Sequence, residues 1–186
     1  MKHNFNPGPS ALPECVRAQA SSALACPGGG ISVLEISHRS EQYRTIHDEA
    51  LARFRSLYAV PEEFAIVLLQ GGASLQFSML PMNLLRAGRS ADYVETGVWS
   101  AKALTEAKVG GHECRIAGSS RDQGFDHIPG QGDLDLDDAA EYLHLTTNNT
   151  IYGTQFSTLP DAGGVPIVAD MSSDLLSRPI FWAEAG

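Results

Sequence analysis

Four short segments carry side chains that could share one ligand: Gly72-Ala73-Ser74, Gly97-Val98-Trp99, Asn149-Thr150 and Asp170. The first follows an apolar run, Ala65-Ile66-Val67-Leu68-Leu69, and the turn-forming pair Gly71-Gly72. It precedes Leu75, Met79, Leu80 and Met82, which recur at helical spacing. A strand, a glycine turn and a helix in that order aim backbone N–H groups and the positive end of a helix dipole at one point, which suits a phosphate. Ser74 adds a hydroxyl donor in the first turn. Trp99 offers a flat aromatic face, Thr150 a hydroxyl, and Asp170 a carboxylate at the end of Pro166-Ile167-Val168-Ala169-Asp170. A planar, phosphorylated, cationic heteroaromatic satisfies all four, and pyridoxal 5'-phosphate (PLP) has that chemistry. The carboxylate would pair with its pyridinium nitrogen, the indole would stack on the ring, and the threonine would bond the phenolate oxygen. Each residue also has a purely structural reading: a turn-capping Asp, a core-packing Trp, a turn Thr.

The elements that must position these groups read as α/β. The run 65–69 predicts a strand buried on both faces, and the helix after it ends by Gly88. Ala91–Thr96 predicts a strand, Gly97 breaks it, and a helix follows to about Val109. Two successive strand–turn–helix units imply a parallel or mixed sheet with helices on its faces. Glu113–Ala117 and Tyr142–Thr146 predict further strands, residues 118–136 a long surface loop, Thr147–Thr150 turn chemistry, and 166–170 a buried strand. Functional groups of such sheets collect at the carboxyl ends of the strands, where all four segments fall.

Upstream, the proline-rich stretch to Pro13 predicts an arm over residues 1–14, and 15–186 one further domain. A helix starts near Pro13 with Val16, Ala20 and Leu24 as its stripe; Ile31, Val33 and Ile36 are expected buried. A helix over about 40–58 places Tyr43, Ile46, Ala50, Leu51, Phe54 and Leu57 on one side. Of the 186 residues, 43% are hydrophobic and 19% charged, a globular composition, and the net charge of −9 argues against nucleic acid or an anionic membrane as partner. No apolar run is long enough to span a bilayer, and no signal core opens the chain. Three cysteines without a C-x-x-C pair suit a reducing cytoplasm and argue against a metal site.

The motifs together resemble one family, the phosphoserine aminotransferases, which are fold-type I PLP enzymes. The segments that carry the likeness are FNPGPSALP at 5–13, SVLEISHRS at 32–40, LQGGASLQFSMLPMNLL at 69–85, DYVETGVWSAKALTEAK at 92–108, TNNTIYGTQF at 147–156 and ADMSSDLLSRPI at 169–180. The resemblance implies that 15–186 form part of a fold-type I PLP-binding large domain, three-layered around a mostly parallel mixed sheet, with the family's small carboxy-terminal domain expected to be absent. It implies that Ala73 and Ser74 bind the cofactor phosphate, Trp99 stacks, Thr150 contacts the phenolate and Asp170 the pyridinium. By the same likeness Arg39 holds the carboxylate of the amino-acid substrate and His38 contacts the substrate phosphate. The implied reaction moves an amino group from glutamate to 3-phosphohydroxypyruvate, giving phosphoserine and 2-oxoglutarate in serine biosynthesis, with pyridoxine synthesis as a further role; the implied assembly is a homodimer.

The lysines are Lys2, Lys102 and Lys108, and the last two read as surface residues of a helix. None matches the family's Schiff-base lysine, which is expected past Gly186; the chain reads as a truncated amino-terminal half with no catalytic residue of that kind. Two rival readings stand beside the enzyme. One is an inactive fragment serving as a PLP-binding or dimerisation module. The other is a nucleotide-phosphate-binding α/β domain, which lacks G-x-G-x-x-G and a Walker lysine.

Overall fold

A computed structural model describes residues 3–26 and 28–180. The chain divides into two compact units, Met1–Ile66 and Val67–Gly186.

The first unit is helical. Residues 3–13 form neither helix nor strand, and Pro13 stands at the N-cap of α1 (Glu14–Ala25). Helix α2 (Glu41–Tyr58) begins at Ser40, whose hydroxyl accepts the Tyr43 N–H at 3.1 Å, and stops at Ala59 in the left-handed conformation. Arg55 then pins the following turn by donating to the carbonyls of Val60, Pro61 and Phe64 at 3.0, 2.6 and 2.9 Å. Both expected helices exist, but most side chains of their apolar stripes are exposed; Leu51 and Phe54 of α2 are half-buried. Helix α1 buries no residue, and Ile31 and Val33, expected inside, are exposed. Tyr43, Ile46 and Leu57 of α2 are exposed too, while Tyr58 and Val60 are buried. Helical period says which side chains share a face; it does not supply a surface for that face to meet.

The second unit is built on a parallel sheet. Its strands β1 (Ser90–Glu95), β2 (Glu113–Ser119), β3 (Leu143–Thr146) and β6 (Ile167–Asp170) lie in the order β2-β1-β3-β6, every neighbouring pair parallel. Helices α3 (Ala73–Leu84) and α4 (Val98–Val109) complete the two strand–turn–helix units read from the sequence. The short strands β4 (Asn148–Asn149) and β5 (Thr154–Gln155) close an antiparallel hairpin where turn chemistry alone was expected.

Strand β1 is buried on both faces because each face has its own core. On one, Phe77 and Leu85 join Ala103, Leu104 and Ala107 of α4 against Ala91, Tyr93 and Tyr142. On the other, Val94, Ala117, Leu143 and Leu145 pack with Phe156 and Ala162, covered by Ile128, Leu134 and Leu136. The expected loop over 118–136 therefore forms part of the third layer, with two short 3-10 turns, Arg121–Gln123 and Gln131–Asp133.

The run 65–69 corrects an expectation. It joins no sheet, and Val67, Leu68 and Leu69 are 67%, 65% and 59% exposed. A strand needs a hydrogen-bonded neighbour as well as an apolar sequence, and no described strand lies beside this one. No described helix is long and apolar enough to cross a membrane.

Candidate functional site

The glycine turn comes first. Gly71 has φ +89°, a left-handed conformation that favours glycine, and a Cβ there would also press on the Leu75 side chain. Gly72 is the N-cap of α3 and offers no side-chain cap. Its carbonyl accepts from the N–H groups of Leu75 and Gln76 at 3.0 and 3.2 Å. The N–H groups of Ala73 and Ser74 stand ahead of that first intrahelical bond, the usual position of groups open to an outside acceptor. Ser74 accepts a hydrogen bond from the Lys102 ammonium at 2.7 Å.

The second arm is the junction of β1 and α4. The buried Ser100 hydroxyl accepts the N–H groups of Thr96 and Gly97 at 2.8 and 3.0 Å, tying the strand end to the first turn of the helix. Trp99 projects from that turn, 37% exposed, and its indole Nε1 donates to Thr150 Oγ1 at 3.3 Å. Thr150 is held in turn by the hairpin. The neighbouring Asn149, 1% exposed, donates from Nδ2 to Thr96 Oγ1 at 3.1 Å and to Thr154 Oγ1 at 3.2 Å. Below the junction, Arg121 grips the buried Glu95 carboxylate with both nitrogens of its fork and holds the carboxyl below its usual pKa range.

The third arm is the end of β6. Asp170 sits opposite Thr146 in register, and its backbone carbonyl accepts the Thr147 N–H at 3.0 Å. One carboxylate oxygen, Oδ1, accepts from the N–H and hydroxyl of Ser172 at 3.1 and 2.6 Å. Asp170 lines a cavity of about 660 Å³ together with Gly71, Gly72, Ala73, Phe77 and His144. His144 is 2% exposed, and among the described residues neither ring nitrogen has a hydrogen-bond partner. It stacks on Tyr93 at 5.0 Å between ring centroids and meets the Phe77 ring edge-on at 6.0 Å. Burial drives its pKa down to about 4, against the opposing pull of the Asp170 charge.

The structure thus joins Ala73 to Asp170 on one cavity wall, and Trp99 to Thr150 by a hydrogen bond. Ser74 and Trp99 are linked through α4, because Lys102 lies three residues after Trp99. His38 and Arg39 belong to the first unit, in the exposed turn before α2, where the Arg39 N–H bonds Ser37 Oγ at 3.2 Å. Sequence reasoning placed Lys102 on a solvated face; its ammonium instead meets Ser74. The signal that would have found it is its spacing of three from Trp99, which puts both on one side of α4. His144 was also missed, since a histidine inside a strand looks like core.

The chemistry of the donor set fits PLP. A hydroxyl, an ammonium and a helix N-terminus suit a phosphate. An indole suits a ring face, a threonine hydroxyl a phenolate oxygen, and a carboxylate a protonated ring nitrogen. Among the described residues no cluster of metal-ligating side chains occurs.

The family model described as aminotransferase class-V matches residues 2–186. Over 185 residues the chain is 49% identical to the phosphoserine aminotransferase of Desulfosudis oleivorans, covering 99% of this chain and 51% of that one. It is 49% identical over 179 residues to the enzyme of that name from Lysinibacillus sphaericus, covering 96% and 49%. The solved phosphoserine aminotransferase from Bacillus circulans subsp. alkalophilus superposes with TM-score 0.92 at 44% identity, covering 98% of this chain and 51% of that one. A PLP-bound phosphoserine aminotransferase from Trichomonas vaginalis gives 0.87 at 36% identity, covering 100% and 52%. The chain spans about half the length of the curated relatives it matches. Its sheet order, its helices and these likenesses together show that the chain belongs to the class-V aminotransferases.

Proposed function

We propose that this chain forms the cofactor-binding part of a PLP-dependent phosphoserine aminotransferase, which passes the amino group of glutamate to 3-phosphohydroxypyruvate. The observation that supports the reading is the pair of hydrogen bonds from one helix, Lys102 to Ser74 and Trp99 to Thr150, beside a glycine turn that lines one cavity with Asp170. When bound, the cofactor supplies an electron-accepting ring that stabilises negative charge on the carbon losing its proton. The residues of the chain do the rest. Asp170 holds a proton on the pyridine nitrogen, which sustains that electron demand. Ser74 and the N–H groups of Ala73 and Ser74 bind the phosphate and fix the ring's position. Trp99 covers one ring face and excludes water from it. Thr150 uses its two capacities at once: Oγ1 accepts the Trp99 N–H, so its own O–H remains to donate to the phenolate oxygen.

By the family resemblance, Arg39 holds the substrate carboxylate and His38 the substrate phosphate. The same likeness supports a homodimer and a place in serine biosynthesis, and the three unpaired thiols of Cys15, Cys26 and Cys114 support a cytoplasmic setting. A second reading, a PLP-binding or dimerisation module without catalysis of its own, is favoured by the exposed apolar side chains Val67, Leu68 and Leu69.

Titration of the 186-residue chain with PLP tests the cofactor assignment. In a Trp182→Phe background, Trp99 is the remaining tryptophan and reports directly. Saturable quenching by PLP, absent with ATP and NAD, is the expected result. A chain whose Trp99 ignores PLP at millimolar concentration overturns it.

A further inference from the structure

We propose that Lys102 supplies the positive charge for the cofactor phosphate, with Ser74 as its partner. The proposal rests on reading the strand-end group as a PLP site and adds to it the one cationic side chain seen there. Lys102 reaches Ser74 Oγ at 2.7 Å from α4, one turn beyond Trp99. Among the described residues its ammonium enters no ion pair within 4.0 Å. The nearest acidic residue along the helix, Glu106, accepts instead from the Ser78 hydroxyl at 3.3 Å.

The ammonium is therefore set beside the N-terminal turn of α3, which is itself the positive end of a helix dipole and has no side-chain cap. Two positive features side by side repel each other unless an anion lies between them. In a chain of net charge −9, with carboxylates in excess, such a pairing without an acidic partner points to an anionic ligand. The hydrogen-bond inventory points the same way. An ammonium has three donors and one is spent on Ser74; Ser74 accepts that bond through a lone pair and keeps its O–H to give. Lys102, Ser74 and the Ala73 and Ser74 N–H groups thus offer several donors to one set of phosphate oxygens. A phosphate monoester carries a charge between −1 and −2 near neutrality, and a charge-assisted bond to it is among the stronger kinds.

The test uses ligands that lack an aldehyde, so that no lysine can form a covalent adduct. Pyridoxine 5'-phosphate has the ring and the phosphate; pyridoxine has the ring alone. Binding to the 186-residue chain is measured by Trp99 quenching in the Trp182→Phe background and checked by equilibrium dialysis. The expected result is that Lys102→Met weakens pyridoxine 5'-phosphate by about 10- to 100-fold and leaves pyridoxine within about 2-fold. Lys102→Arg, which keeps the charge, restores binding of the phosphate form to within about 3-fold of the parent. Added salt weakens the phosphate form in the parent more than in Lys102→Met. If the parent prefers the phosphate form and Lys102→Met prefers it equally, the assignment of Lys102 is overturned while the site stands. If the parent binds neither compound, the site reading falls and the Lys102 assignment falls with it. Circular dichroism of Lys102→Met, matched to the parent, shows that any loss belongs to the ligand contact.

Discussion

His144 is a titratable side chain held away from water. It is buried against Tyr93 and Phe77 with both ring nitrogens unpartnered among the described residues, and burial holds its pKa at about 4, below the ordinary 6.5 of a histidine. A base whose folded pKa is lowered binds fewer protons folded than unfolded between those two values, so stability rises with pH across that window. Lowering the pH from 8 to 5 therefore removes about 2 kcal/mol through this residue alone. His144→Phe, which keeps the ring contacts and cannot titrate, flattens that part of the profile; urea midpoints at pH 8, 6 and 5 measure it, and a parallel loss in parent and variant would refute the assignment. The site residues differ in how far the sequence disclosed them. Ser74, Trp99, Thr150 and Asp170 each follow directly on a strand or glycine signal, so each was legible as a candidate. Lys102 was not, because a lysine on a helix is ordinarily solvated; its spacing of three from Trp99 is a weak signal, and its hydrogen bond to Ser74 is what marks it.

At the level of elements, the β1–α4 junction leaves no room for a side chain at Gly97. A Cβ there would lie 2.6 Å from Oδ1 of Asn149, which cannot retreat while its amide bonds Thr96 and Thr154. Gly97→Ala pushes the hairpin away from α4, at a cost of about 1–3 kcal/mol. It also lengthens the Trp99–Thr150 contact, so both the urea midpoint and the Trp99 emission shift. An unchanged midpoint would mean that the hairpin moves freely. The sequence disclosed β1, β3, β6, α3 and α4 because each is bounded by glycine or polar turns, although α3 buries Phe77 and Pro81 and leaves Leu75 and Met82 of its expected stripe exposed. It misled at 65–69, where five apolar residues in a row look like a central strand. Whether such a run enters a sheet depends on a neighbour that the run itself does not encode.

For the molecule as a whole, the two units differ in how much they bury. Helix α1 buries nothing and α2 buries Tyr58, whereas β1 and β3 are enclosed by both cores. Amides of α1 therefore open with little free energy and exchange within minutes, while those of β1 and β3 are slowed by about a thousand-fold or more. Hydrogen exchange read by mass spectrometry distinguishes the two classes; equal protection in α1 and β3 would contradict the burial pattern.

Strand β6 forms one margin of the sheet, with Ile167, Val168 and Ala169 on it and its outward backbone groups facing no described strand. Such a margin is a template on which another polypeptide can be laid down, rung upon rung. In concentrated, ageing solutions fibrils with the ~4.7 Å repeat of stacked backbones are the expected product, and fibre diffraction checks it.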